Sequence, residues 1–142
     1  MVLTFDDIYV IMDAVGVMEL NKVYFYQRQN GETPVMDYLV SLENSNSKDS
    51  RIKKNKIIQY IDLLKIHGTT LGEPIMKHLE DQIWELRPSG DRVLFAALIH
   101  DTFVLLHVFR KQTQKTPKRE IEQARRELDD YLEREDENGK QD

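Results

Sequence analysis

The chain of 142 residues contains no cysteine. A disulfide framework and a thiolate metal site are therefore excluded, and the absence fits a reducing compartment. Its six glycines are scattered, and none forms the clustered loop that cradles a phosphate. The longest apolar-rich stretches, 93–99 and 103–109, are far shorter than the ~20 residues of a membrane-spanning helix. Residues 1–18 lack the basic start and apolar core of a signal peptide. A cytoplasmic protein with no membrane association is expected. No set of acidic residues or histidines has metal-ligand spacing, so neither a metal nor another cofactor is expected.

Charge is what the chain has in quantity, and it is unevenly placed. The formal net charge is −5. Residues 1–50 carry 3 Lys/Arg against 8 Asp/Glu, and residues 120–142 carry 4 against 10. Between them, residues 51–67 hold 5 against 1 and residues 77–119 hold 8 against 5. A basic middle between acidic ends presents a local patch to a polyanion despite the overall acidity.

Periodicity divides the chain into a short appendage at 1–18, one domain over 19–135 and an acidic tail at 136–142. In the appendage Ile8, Ile11, Met12 and Val15 recur at helical spacing after Thr4-Phe5-Asp6-Asp7, and Gly16 is placed to end a short helix. Val23-Tyr24-Phe25-Tyr26 predicts a first strand, followed by the turn pair Asn30-Gly31. Thr33-Pro34 starts a short helix with Val35, Tyr38, Leu39 and Leu42 on one face, and 43–50 reads as a polar loop. A second helix is predicted over 51–67, with a loop over 68–74. Three strands follow at 83–87, 92–100 and 103–110, with links too short for parallel crossovers. The last two are almost wholly apolar, which predicts burial on both faces by the hairpin helices and by either the last helix or a partner. Thr116-Pro117 opens that last helix, predicted to run to about residue 135.

The chemistry-bearing residues gather at strand ends. Antiparallel pairing is expected to bring Arg87, Arg92, Arg110 and Lys111 to one edge of the sheet, flanked by Lys77, His78, Lys115 and Lys118 on connecting segments. Lys53, Lys54 and Lys56 on the second helix are a further basic group for RNA contact. Arginine binds phosphate oxygens through paired hydrogen bonds. The same cations suit the extra charge of a pentavalent phosphorus transition state. RNA brings its own nucleophile, the 2′-OH, so a base is the one group still needed. His78, His107 or a lysine are the candidates. His107 lies inside an apolar strand and reads as a core residue, as does Trp84. His67 and His100 sit at element ends and read as structural.

The segments WELR (84–87), GDRVLF (90–95), LLHVFRKQTQKTP (105–117) and EIEQARRELDDYL (120–132) resemble the phage-derived Gp49-like/HigB toxins of the RelE superfamily. The resemblance spans roughly residues 23–135. It implies an α+β fold: a small antiparallel β-sheet packed by two N-terminal helices and a C-terminal helix. It further implies a type II toxin–antitoxin toxin that cleaves mRNA on the ribosome without a metal. By the same resemblance Arg92 would hold the scissile phosphate, Arg87 would end the WELR strand in the site, Lys111 would aid the leaving group, and Lys77 would match a lysine of the family. Two features depart from the RelE pattern: no tyrosine lies near the start of the last helix, and Ile83 and Glu85 stand where a lysine pair is expected. Proton transfer is then assigned to Lys77 or His78. The implied partners are the ribosome, mRNA and a cognate antitoxin of the HigA helix-turn-helix type. A non-catalytic ParE-like toxin that binds protein, or a phage-encoded interaction module, is the alternative.

Overall fold

The computed structural model describes residues 20–140, with side chains described as far as Glu137. The expected appendage at 1–18 lies outside the described residues. The elements run β1 (Lys22–Phe25), α1 (Pro34–Glu43), α2 (Lys48–His67), a 3-10 turn (Gly68–Thr70), β2 (Met76–Glu80), β3 (Ile83–Leu86), β4 (Asp91–Leu98), β5 (Thr102–Arg110) and α3 (Lys118–Lys140). Among the described residues no helix is long and apolar enough to cross a membrane.

The fold is α+β, and its five strands form one sheet in the order β1-β5-β4-β3-β2. Strands β2 to β5 are antiparallel neighbours, whereas β1 runs parallel to β5, pairing Lys22 with Thr102 and Phe25 with Leu105. The sheet is therefore mixed, not purely antiparallel as expected. The chain reaches that parallel edge only because the whole helical hairpin and three strands intervene between β1 and β5, which supplies the crossover a parallel pair needs.

Strand β2 was not anticipated. Its sequence, MKHLE, buries only Met76 fully and faces solvent at most other positions. Such an edge strand has no apolar alternation to announce it, and its composition favours helix. Helix α2 begins at Lys48, three residues earlier than expected. The Ser47 hydroxyl caps it by accepting from the Ser50 amide at 3.1 Å, which draws Lys48, Asp49 and Ser50 into the first turn. Helix α3 continues through Lys140, beyond the expected end near residue 135.

Alternation along β4 and β5 sends side chains to two separate cores. Val93, Phe95, Phe103 and Leu105 pack on Leu39, Leu42, Ile57, Ile61 and Leu64 of α1 and α2. Leu94, Ala96, Val104 and Leu106 pack on Ala124 and Leu128 of α3. The second face of the apolar strands is thus covered by the last helix. Each fully buried Leu, Phe or Val on these strands contributes roughly 1.5–3 kcal/mol, so both layers are needed to hold the sheet. A bulge after Leu94, paired with His107 while Phe95 pairs with Leu105, leaves Leu106 unpaired and turns His107 toward α3. At the end of α2 Gly68 takes φ +61°, and a Cβ there would lie 3.3 Å from the Asn21 side chain. The close approach lets Asn21 seal the helix end.

Candidate functional site: a cationic cleft on the α3 face

Glu85 organises the site. It lies on β3 opposite Leu94 and so faces α3, and it is 1 % exposed. A carboxylate that deep needs partners. Arg87 Nε donates to its Oε1 at 3.0 Å, Arg92 Nε lies 3.8 Å from the same oxygen, and Thr116 Oγ1 donates to Oε2 at 2.5 Å. The last bond ties β3 to the segment that leads into α3. Arg87 is also fixed through its main chain, its N–H donating to the Ile75 carbonyl at 2.9 Å, and its Nη1 reaches Glu73 at 3.4 Å.

Above this cluster an open cleft of about 500 Å³ lies between β2, the end of β3 and the segment before α3, lined by Glu73, Lys77, His78, Arg87, Lys115 and Thr116 among others. Lys77 sits across from Glu85 on β2, and its Nζ is 4.0 Å from Glu73. Lys77 and Lys115 are exposed. Lys77, Arg87 and Lys115 thus share the cleft with the exposed carboxylate of Glu73, and the buried carboxylate of Glu85 lies beneath them. His78 Nε2 is 2.7 Å from the Asp81 carbonyl oxygen, which can only accept. His78 pairs with Trp84 across β2 and β3, and its ring lies edge-on to the Trp84 ring at 5.1 Å, so the imidazole belongs to the α1–α2 face, opposite Lys77.

The cations expected to converge do so only in part. Arg87, Arg92, Arg110 and Lys111 all lie at one end of the sheet, but not in one cluster. Arg92 is 9 % exposed, and its Nη1 donates to the carbonyls of Ser89 at 2.6 Å and Asp91 at 2.8 Å. Burial is the largest influence on it and lowers its pKa below the ordinary arginine value. Its guanidinium bonds the β3–β4 turn behind the cleft and does not line it. Arg110 pairs across from Asp91, whose carboxylate accepts from Tyr38 of α1 at 2.9 Å. Arg110 therefore belongs to the α1 face, with the sheet between it and the cleft. Lys111 is exposed, and its N–H donates to the Gly90 carbonyl at 2.8 Å, closing the end of the β4–β5 pair.

The other candidates are dispersed. Lys115 lines the cleft, whereas Lys118 is 90 % exposed and lies 4.0 Å from Glu122 on α3. Lys53, Lys54 and Lys56 stand on α2, across the sheet from the cleft. Lys54 is paired with Glu43, and Lys56 Nζ lies 5.5 Å from the centre of the Tyr60 ring. His107 is bonded to Glu120 in the first turn of α3, and Trp84 stacks at 6.4 Å on Phe95 in the α1–α2 core. In the sequence Glu73 carries no mark of a site, Thr116 reads only as the start of the last helix, and Glu85 only as a departure from a lysine pair. Glu85 carries a legible signal: an acid between Ile83 and Arg87 on the inward face of an apolar strand must meet a cation. Among the described residues no group of three His, Asp or Glu side chains gathers as a metal site would require.

Residues 38–129, well over half of the chain, match the family of the phage-derived protein Gp49-like (DUF891). The chain belongs to the Gp49-like family, a family of HigB/RelE-like toxins. No curated protein matches the chain. The family match begins inside α1 and ends inside α3, so it takes in β2 to β5 and every residue that lines the cleft.

Proposed function

We propose that this Gp49-like protein is the toxin of a type II toxin–antitoxin pair and that it cleaves mRNA on the ribosome. The observation that carries the reading is the cleft on the α3 face. It sets Lys77, Arg87 and Lys115 around a space large enough for a nucleotide phosphate. In the proposed reaction the ribose 2′-oxygen attacks the adjacent phosphorus and its proton passes to water. The bond from phosphorus to the 5′-oxygen breaks, and that oxygen takes a proton from the Lys77 ammonium on leaving. The products are a 2′,3′-cyclic phosphate and a 5′-hydroxyl. Arg87 stabilises the charge that develops on the phosphoryl oxygens, and the protein itself supplies no metal to the step. Placing the strand is the ribosome's contribution, since alignment of the 2′-oxygen with the breaking bond accounts for much of such a barrier.

An antitoxin of the HigA helix-turn-helix type is the proposed partner, acting in the cytoplasm. An acidic segment of that partner laid in the cleft would occupy the phosphate position.

One observation favours the non-catalytic alternative. Arg87 is already paired with Glu85 and Glu73, and Arg92 is bonded to main-chain carbonyls. A toxin that binds a protein target needs no free guanidinium. Induced expression followed by primer extension on cellular mRNA separates the two. Growth arrest with new 5′ ends inside translated messages, lost in an Arg87→Ala variant, is the expected result. Growth arrest with intact messages would favour the protein-binding toxin, and no arrest would favour an interaction module.

A further inference from the structure

A second surface is unexplained by the cleft. Between α1 and α2 runs a largely apolar groove of about 320 Å³, lined by Phe25, Met36, Val40 and Ile58, with Lys54 and Lys65 on its rim. Met36 is 39 %, Val40 49 % and Ile58 41 % exposed. On α2 the lining runs from Lys54 to Lys65, about 16 Å at 1.5 Å per residue. Three large apolar side chains open along one groove mark a docking surface.

We propose that residues 1–19 of the same chain occupy this groove. The first reason is where the described chain begins. The Asn21 N–H donates to the Lys65 carbonyl at 2.9 Å, and the Asn21 side chain donates to the Leu64 carbonyl at 3.3 Å. Residue 20, where the described residues begin, therefore lies at the Lys65 end of the groove. The second reason is length. Five residues, 16–20, reach up to about 17 Å, enough to return residues 8–15 to any point along the groove. The third is pattern. Ile8, Ile11, Met12 and Val15 form one apolar stripe at the spacing that a groove between two helices accepts. The fourth is charge. Residues 1–20 hold Asp6, Asp7, Asp13 and Glu19 and no Lys or Arg, whereas α2 holds Lys48, Arg51, Lys53, Lys54, Lys56 and Lys65 against Asp49 and Asp62. Of the groove's own acids, Glu43 pairs with Lys54, while burial raises the pKa of Asp62 above the ordinary carboxylate value and the charge of Lys65 opposes that rise in part. This inference stands apart from the toxin reading and does not depend on it.

The absence of cysteine makes the test direct, because any disulfide must join introduced residues. In the full chain, Val15→Cys is combined with Met36→Cys, and separately Ile11→Cys with Val40→Cys. The control is Ile11→Cys with Leu132→Cys, since Leu132 is exposed on α3 across the sheet. Each protein is oxidised with glutathione disulfide and run on a non-reducing gel, after thermal melting of the reduced form has shown it folded. At least one groove pair should close an intramolecular bridge 10-fold faster or more than the control. Bridging of both groove pairs no faster than the control overturns the proposal. Disulfide-linked dimers in place of the intramolecular bridge would also overturn it and would give the groove to a second copy of the chain.

Discussion

Glu85 and Arg87, two residues apart at the end of β3, face the same side of the sheet, and the guanidinium Nε donates to the carboxylate at 3.0 Å. The same carboxylate accepts from Thr116 and faces Arg92, so one buried acid sets two arginines and the wall before α3. Removing it leaves Arg92 without its counter-charge. Breaking a buried pair from one side costs roughly 3–5 kcal/mol. Glu85→Ala is expected to lower the urea midpoint by a corresponding amount. Glu85→Gln, which keeps an acceptor for Thr116, should lose less. An alanine variant as stable as the parent would show that the cluster does not hold the site.

Arg87 and Arg92 should separate fold from function. Arg87 is about a quarter exposed and lines the cleft, so Arg87→Ala is expected to fold and to lose mRNA cleavage by about 10²–10³-fold, as for the loss of one transition-state donor. Arg92→Ala leaves the Ser89 and Asp91 carbonyls without their donor and is expected to cost about 1–3 kcal/mol of stability. Loss of toxicity in that variant should therefore track its melting temperature. A fully stable but inactive Arg92→Ala protein would return the phosphate contact to Arg92, the role implied by family resemblance.

The central strands were legible because burial on both faces writes a continuous apolar run, as in 93–98 and 103–106. The helical hairpin and the last helix were legible from their stripes and from Pro34 and Pro117. Strand β2 was not, because an exposed edge carries no pattern. The parallel β1–β5 pair was not, because neither strand names its neighbour. At the candidate cleft, Lys77, Arg87 and Lys115 were legible as charges near element ends, whereas the turn of the His78 ring to the opposite face was not. The division of the arginines was hidden. Whether a strand-end arginine faces a cleft or bonds a turn depends on side-chain direction across a hairpin, and for Arg92 the acceptors are main-chain carbonyls, which every sequence possesses.

Two tyrosines predict a loss of stability at high pH. Burial and hydrogen bonds to Asp130 and Asp91 push Tyr26 and Tyr38 each up to about 12 from an ordinary value of 10.0. A raised folded-state value means that the neutral phenol is favoured on folding. The stabilisation is complete below pH 10 and is lost as pH rises toward 12. The urea midpoint should therefore fall across that window. The Tyr26→Phe and Tyr38→Phe variants should each be less stable than the parent at pH 8 and show a shallower fall above pH 10. A fall of unchanged steepness in the double variant would assign it to other groups.

The two lysine groups should differ in their dependence on salt. Each phosphate contact to a single strand contributes about 0.7 to the slope of log affinity against log salt. Lys77 and Lys115 are exposed in the cleft, so replacing both with alanine should reduce the slope for a short RNA carrying 2′-O-methyl groups by about 1.4. Lys53, Lys54 and Lys56 lie across the sheet, with Lys54 paired to Glu43 and Lys56 against Tyr60. Their triple alanine variant should leave that slope unchanged. It should alter association with whole ribosomes only if α2 meets ribosomal RNA. Binding to the short RNA and to ribosomes, each titrated over a range of salt, distinguishes the surfaces. A slope for the short RNA that responds to the α2 lysines and not to Lys77 and Lys115 would move the RNA site from the cleft to the helical hairpin.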